Sequence, residues 1–229
     1  MVHVGLILQA RHDSSRLPGK ALAPLASTTV LQHCLERLRR SAAGQVVLAT
    51  TARPADDRLA ALARGMDISV YRGSRDDVLG RYVSAARSFG FDVVIRATGD
   101  NPAVDIDAAE RLLRTLEATA AEYACEDGLP VGAGVEAVTA AALARSAALA
   151  QDPADREHVT TFIKAHPGLF RIARPIAPAA LRRPDLRLTI DTPADLGFMR
   201  RVYARLAEPE PSLAAVIEAA DACTRSDAA

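Results

Sequence analysis

There is no tryptophan in this chain, and aromatic residues make up only 4% of its 229 positions. So little aromatic surface leaves no row of stacking platforms for a single-stranded nucleic acid. Net charge is absent too. Twenty-eight Lys and Arg balance 28 Asp and Glu, so no whole-molecule field favours nucleic acid or an anionic membrane. Cysteine is limited to Cys34, Cys125 and Cys223, far apart and without metal-binding or redox spacing, which suits a reducing compartment. No apolar run reaches the roughly 18 residues of a membrane span, and the chain opens on a strand-like run. A cytoplasmic protein without membrane or nucleic-acid partners is the expectation. Lysine is almost missing: beside 26 arginines stand only Lys20 and Lys164.

What is present alternates. Val2–Leu8 reads as a buried strand, and a helix follows near Thr29–Arg40, with Val30, Leu31, Cys34, Leu35 and Leu38 on one face. Strand-like Gln45–Ala49, Ile68–Tyr71 and Asp92–Arg96 interleave with helix-like Asp56–Arg64, Asp76–Phe89 and Ile106–Thr119. This rhythm predicts βαβ units on a mostly parallel sheet, with ligands beyond the carboxyl ends of the strands. After Ala120 the rhythm breaks. Short strands are expected at Tyr123–Cys125 and within Gly132–Val138, helices at Thr139–Leu149 and Pro153–Ala165, and a strand at Leu169–Arg174. Leu186–Ile190 reads as a returning buried strand. The helix from Thr192 to Leu206 carries an N-cap Thr, Pro193 and Asp195 in its first turn, and Ser212–Ala220 is the last helix. The expected organisation is one α/β unit: residues 1–120 as a nucleotide-binding half, 121–185 as a small α+β acceptor-side or dimerisation part, and 186–229 as a closing strand and C-terminal helices.

The loop Leu8–Lys20 holds Arg11, Arg16 and Lys20, two serines and a Pro-Gly turn. Arginine forks and a compact lysine charge suit the gripping of a polyphosphate. Neither a Gly-x-x-x-x-Gly-Lys-Ser/Thr phosphate loop nor a Gly-x-Gly-x-x-Gly turn follows the strand, which argues against P-loop NTPases and dinucleotide dehydrogenases. Two carboxylates end strand-like runs: Asp100 in Thr98-Gly99-Asp100-Asn101-Pro102, and Asp191 before the helix start at Thr192-Pro193. Each has a plain reading, Asp100 as a turn cap and Asp191 as a partner of the helix dipole. Taken with the cationic loop, the pair points to Mg²⁺ and a triphosphate, since Mg²⁺ favours one or two carboxylates plus substrate phosphates. Arg156-Glu157-His158 reads equally as an exposed polar helix face, and Glu136 stays ambiguous.

In chain order, Gln-Ala-Arg…Ser-Arg-Leu-Pro-Gly-Lys, Arg-Gly-Ser…Asp-Asp-Val-Leu-x-Arg-Tyr, Thr-Gly-Asp-x-Pro, Arg-Glu-His-Val-Thr and Thr-Ile-Asp-Thr-Pro-x-Asp-Leu are all present. The chain resembles the cytidylyltransferases of the spore-coat polysaccharide biosynthesis protein F type, relatives of the Kdo and N-acylneuraminate cytidylyltransferases. The resemblance implies a three-layer nucleotide-diphosphosugar-transferase (Rossmann-like) fold, CTP as donor, a small-molecule acceptor, Mg²⁺, pyrophosphate release and commonly a homodimer. It implies that Arg11, Arg16 and Lys20 hold the triphosphate and that Asp100 and Asp191 bind the metal. It puts Ala10, Ser14, Gly19, Arg72, Gly73, Ser74, Asp77, Arg96, Thr98 and Gly99 in the nucleotide pocket. Glu136, Arg156, Glu157 and His158 fall toward the acceptor. Three departures stand out: His12-Asp13 inside the cationic loop, Gly134 where relatives carry Asp, and Thr98-Gly99-Asp100-Asn101-Pro102 in place of the Gln-Gly-Asp-Glu-Pro of Kdo enzymes.

The expected chemistry is in-line attack of an acceptor hydroxyl, phosphate or phosphonate on the α-phosphorus of CTP. Two alternatives share the site. A glycosyltransferase would use the Asp-x-Asp letters of Asp105-Ile106-Asp107, and a regulatory domain would bind nucleotide without turnover.

Overall fold

The computed structural model describes residues 2–206 and 211–227. The first strand, β1 (Val4–Gln9), is buried nearly throughout, and its neighbours on both sides are parallel. A two-stranded ribbon, β2 (Pro24–Leu25) and β3 (Thr28–Thr29), leads into α1 (Val30–Arg39), whose N-cap Thr29 accepts from the Gln32 amide at 3.3 Å. Then come β4 (Gln45–Thr51), α2 (Asp57–Gly65), β5 (Ser69–Gly73), α3 (Val78–Phe89), β6 (Val93–Thr98) and α4 (Ala108–Thr119). Asp77 caps α3 by accepting the Gly80 amide at 2.8 Å, and Gly90 ends it in the left-handed region.

The second part holds β7 (Tyr123–Cys125), β8 (Glu136–Thr139), α5 (Ala140–Leu149), α6 (Pro153–His158), α7 (Thr161–Ala165), β9 (Ile172–Ala173), α8 (Pro193–Tyr203) and α9 (Leu213–Asp227). Seven strands form one sheet in the order β5-β4-β1-β6-β8-β7-β9. The four on the β5 side run parallel, whereas β8 is antiparallel to both β6 and β7. Successive residues of β1 and β6 face opposite layers, as a strand requires. Leu6, Leu8, Ile95 and Ala97 pack with α1, α4, α8 and α9, while Ile7 and Val94 pack with α3 and α5. Two helical layers therefore enclose a mostly parallel sheet.

Two expectations fail in the second part. Pro153–Ala165 is not one helix, because Val159 has φ 61° and breaks it into α6 and α7. A β-branched residue reaches that conformation only where its surroundings force it, and Val159 is wholly buried against the α3 layer. Leu186–Ile190 is extended and buried as expected, but it joins no ladder. It makes one isolated parallel bridge, between Arg187 and Val131, in which the Val131 amide donates to the Leu186 carbonyl at 2.9 Å and the Leu188 amide to the Val131 carbonyl at 2.8 Å. The Ile190 amide donates to the Asp100 carbonyl at 2.9 Å. The predicted strands within Gly132–Val138 and Leu169–Arg174 shrink to β8 and to the two residues of β9.

Candidate active site

The loop after β1 is closed by its own backbone. Gly19 takes φ 75°, which glycine adopts without penalty, and its amide donates to the His12 carbonyl at 2.9 Å. Lys20 follows in a single tight helical turn and is aimed across the carboxyl end of the sheet. Its ammonium donates to Asp100 Oδ2 at 2.8 Å, Asp191 Oδ1 at 3.0 Å and the Ile190 carbonyl at 2.8 Å. Arg16 reaches Asp191 at 2.9 Å, and Arg187 takes its other oxygen at 2.7 Å. Burial raises the Asp191 pKa, but Lys20, Arg16 and Arg187 outweigh it, so the net shift is downward. The two aspartates, one after β6 and one after the extended segment Leu186–Ile190, thus meet the loop at one point. The backbone there leaves no room for a side chain on Gly99, where a Cβ would lie 2.9 Å from that of Ala10.

A cavity of about 410 Å³ opens beside this cluster. Ala10, Arg11, Ser14, Arg16, Lys20, Arg96, Thr98, Gly99, Asp100, Glu157, His158 and Asp191 line it, all of them residues singled out by sequence. Arg11 donates to Glu157 at 3.1 Å, so α6 is tied to the loop across the cavity mouth. Two carboxylates and a carbonyl converging on one cationic atom are an all-oxygen set suited to a hard divalent ion, and the ammonium of Lys20 stands at that convergence.

Other named residues support the cavity from behind. Glu136 is the cross-strand neighbour of Arg96 and pairs with it at 2.6 Å. It also accepts from Tyr123 at 2.6 Å, from Thr160 at 3.0 Å and from Lys164 at 3.0 Å. Its carboxylate is saturated by protein donors and is absent from the cavity wall, where acceptor contact had been expected. Burial raises its pKa, yet Arg96, Lys164 and Tyr123 prevail and bring it down to about 2. Arg156 pairs with the capping carboxylate of Asp77 and donates to the Ala147 carbonyl at 2.6 Å, binding α6 to the start of α3. Arg72 donates to the Thr51 carbonyl at 2.8 Å and pairs with Asp57 at 2.6 Å, away from the cavity. Gly73, Ser74 and Gly19 likewise lie off the wall: Ser74 accepts from the Asp77 amide at 3.1 Å and serves the turn into α3.

The odd pair in the loop is accounted for. Asp13 accepts from Arg53 and Arg75, each at 2.7 Å, and lies 3.7 Å from Arg11, so its charge is neutralised outside the cavity. The His12 amide donates to Asp56 at 2.7 Å. The Asp-x-Asp letters are structural as well. Asp105 is buried and pairs with Arg111 at 2.6 Å, Asp107 begins α4, and neither lines the cavity.

Sequence reasoning missed Gln9, Ser15, Ala21, Val78 and Arg81 on the wall. Arg81 did leave a signal, as a charge inside the apolar stripe of α3 beside Val78, Leu79 and Tyr82. Gln9 lies on the α3 side of β1, two residues past Ile7.

The family model described as "Cytidylyltransferase" matches residues 6–218. The spore coat polysaccharide biosynthesis protein of Bacillus subtilis is 36% identical over 218 residues, covering 92% of this chain and 91% of that protein. The solved structure of a cytidylyltransferase from Leptospira borgpetersenii superposes with a TM-score of 0.90 at 28% identity, covering 100% of this chain and 96% of that one. A CMP:2-keto-3-deoxy-manno-octonic acid synthetase solved with CTP shares the fold, at a TM-score of 0.68 and 21% identity over 89% of this chain and 99% of that one.

Proposed function

The chain belongs to the cytidylyltransferase family, and from that premise we propose that it is a Mg²⁺-dependent nucleotidyltransferase that moves CMP from CTP to a sugar acid or a related hydroxyl, phosphate or phosphonate acceptor, releasing pyrophosphate. The observation that carries this reading is the meeting of Lys20, Asp100 and Asp191 beside a cavity lined by Arg11 and Arg16. In such a transfer the protein performs little covalent chemistry. Its contribution is to position the reactants and neutralise developing charge.

Arg11, Arg16 and Lys20 are the groups that would hold the triphosphate and offset the charge growing on the leaving pyrophosphate. Arginine offers forked donors and lysine a compact charge that follows the phosphates. Asp100 and Asp191 would hold Mg²⁺, which supplies Lewis-acid charge neutralisation when bound. The Asp195 carboxylate accepts the Asp191 and Thr192 amides at 3.0 and 2.8 Å, and the Ile190 amide donates to the Asp100 carbonyl at 2.9 Å. Both aspartates are thereby fixed relative to each other before any ligand arrives. The reading includes a cytoplasmic homodimer engaged in surface-polysaccharide, activated-sugar or natural-product synthesis.

The test is pyrophosphate release with each of the four nucleoside triphosphates against sugar acids, sugar phosphates and phosphonates. Release is expected with CTP and Mg²⁺ and lost with Asp100→Asn, which should keep the fold. A UTP or ATP preference would sink the cytidylyl assignment, and near-normal turnover by the Asn variant would sink the metal assignment.

A further inference from the structure

One arginine on the cavity wall is buried with no carboxylate in direct contact, Asp56 and Asp77 favouring its charge only from a distance. Arg81 is 3% exposed, and no carboxylate among the described residues pairs with it. Its Nη1 donates to the Ser74 carbonyl at 2.5 Å, but its Nε has no partner. Nearby acids make their direct contacts elsewhere: Asp77 with Arg156, Glu157 with Arg11, and Asp56 with the Thr51 hydroxyl and the His12 amide. Arg37, the other arginine buried to comparable depth, gives both its Nε and its Nη1 to backbone carbonyls, those of Val104 and Pro211. A buried guanidinium left unpaired costs several kcal/mol, which a fold tolerates where a ligand completes the pairing.

Arg81 is not alone. Arg96 Nε and Gln9 Oε1 are also buried without partners, and both residues line the same cavity. Register puts Gln9 opposite Thr98 and Arg96 opposite Ile7, on the sheet face covered by α3. The Lys20 cluster belongs to the other face. Ala21, Leu188 and Ile190 beside it pack into the opposite core. Unfilled donors and one unfilled acceptor therefore stand across the sheet edge from the triphosphate grip.

We propose that Arg81, with Arg96 and Gln9, forms a second anion subsite, which receives a carboxylate or phosphate carried by the acceptor while Gln9 accepts from a neighbouring hydroxyl. A neutral base brings no charge to within contact of this guanidinium, so the pyrimidine is the poorer occupant of this wall. The subsite itself rests on geometry; only the word acceptor rests on the cytidylyltransferase reading.

The experiment is calorimetric titration of the full chain with sodium gluconate, glycerol 3-phosphate and neutral sorbitol, each with and without saturating CTP and Mg²⁺. Saturable binding of an anionic probe is expected, with none for sorbitol, and the tighter anion identifies the acceptor's charged group. Arg81→Gln should weaken that probe by about tenfold or more, as loss of a charge-assisted hydrogen bond does, while CTP affinity moves by less than about twofold. Equal binding of the probe by wild type and variant, or a parallel fall in CTP and probe affinity, overturns the subsite. Gln9→Glu supplies a carboxylate to the same wall. It should block the probe while raising the melting temperature of the free protein, an outcome misfolding cannot mimic, and retention of probe binding counts against the proposal. If wild type binds an anion but not CTP, the cytidylyl reading fails and the subsite stands.

Discussion

Lys20 holds three oxygens that a divalent ion would otherwise claim, which makes one substitution informative in two ways. Lys20→Met leaves Asp100 and Asp191 facing each other without their shared cation. Pyrophosphate release should drop by roughly 10²–10³, the usual loss when one transition-state donor is removed. The melting temperature of the variant should also respond to Mg²⁺ alone more than that of wild type. A Mg²⁺-insensitive variant would contradict the donor-set argument. Glu136 gives a second residue-scale prediction. Its carboxyl is depressed from 4.5 to about 2 in the fold, so its stabilisation is present above 4.5 and lost as pH falls toward 2. Glu136→Gln should cost about 3 kcal/mol at pH 7, because it leaves the largely buried Arg96 without its carboxylate partner and with the exposed Lys164 ammonium nearby. The deficit should shrink below pH 4 in denaturant melts, and a pH-independent deficit would rule this account out.

At the scale of elements, α8 carries the clearest start signal. Thr192 accepts the Asp195 amide at 3.2 Å while Asp195 accepts the Thr192 amide at 2.8 Å, closing a capping box behind Pro193. Thr192→Ala should cost about 1 kcal/mol in chemical denaturation. Asp195→Asn should in addition lower turnover, since Asp195 also fixes the Asp191 backbone. This helix was legible because all its signals are local. So was the β1 to α4 alternation, where buried strands and one-sided helices announce themselves by period. The segment Leu186–Ile190 was legible as buried but not as lying outside a ladder, because an extended chain buries the same side chains whether it joins a ladder or makes one isolated bridge. The break at Val159 left no trace either. Nothing in Arg-Glu-His-Val-Thr-Thr forbids a helix, and only packing against α3 and α5 turns Thr160 toward Glu136. The site divides the same way. Residues in the β1 loop and before α8 could be named from charge and turn chemistry, whereas Gln9 needed the register of the sheet and Arg81 the packing of α3 against it.

For the molecule as a whole, both halves of the chain contribute to one cavity: β1, β6 and the early loop on one side, α6 and the extended segment before α8 on the other. Ligand binding should therefore stabilise the whole fold cooperatively. CTP with Mg²⁺ at about 100 times its dissociation constant should add about 2.7 kcal/mol, or roughly 5–10 °C in melting temperature for a chain of this size. Scanning calorimetry checks this, and a shift confined to one of two separate transitions would show that the halves unfold independently.

The shortage of lysine has a practical consequence. Both side-chain amines are already placed, Lys20 between Asp100 and Asp191 at 12% exposure and Lys164 on Glu136 at 39%. Reductive methylation with isotope-labelled formaldehyde would put a reporter methyl on each and on no other side chain. One signal would then follow the meeting of Lys20, Asp100 and Asp191 and the other the wall that holds Arg96, giving two separate readouts of how ligands fill the cavity without a single mutation.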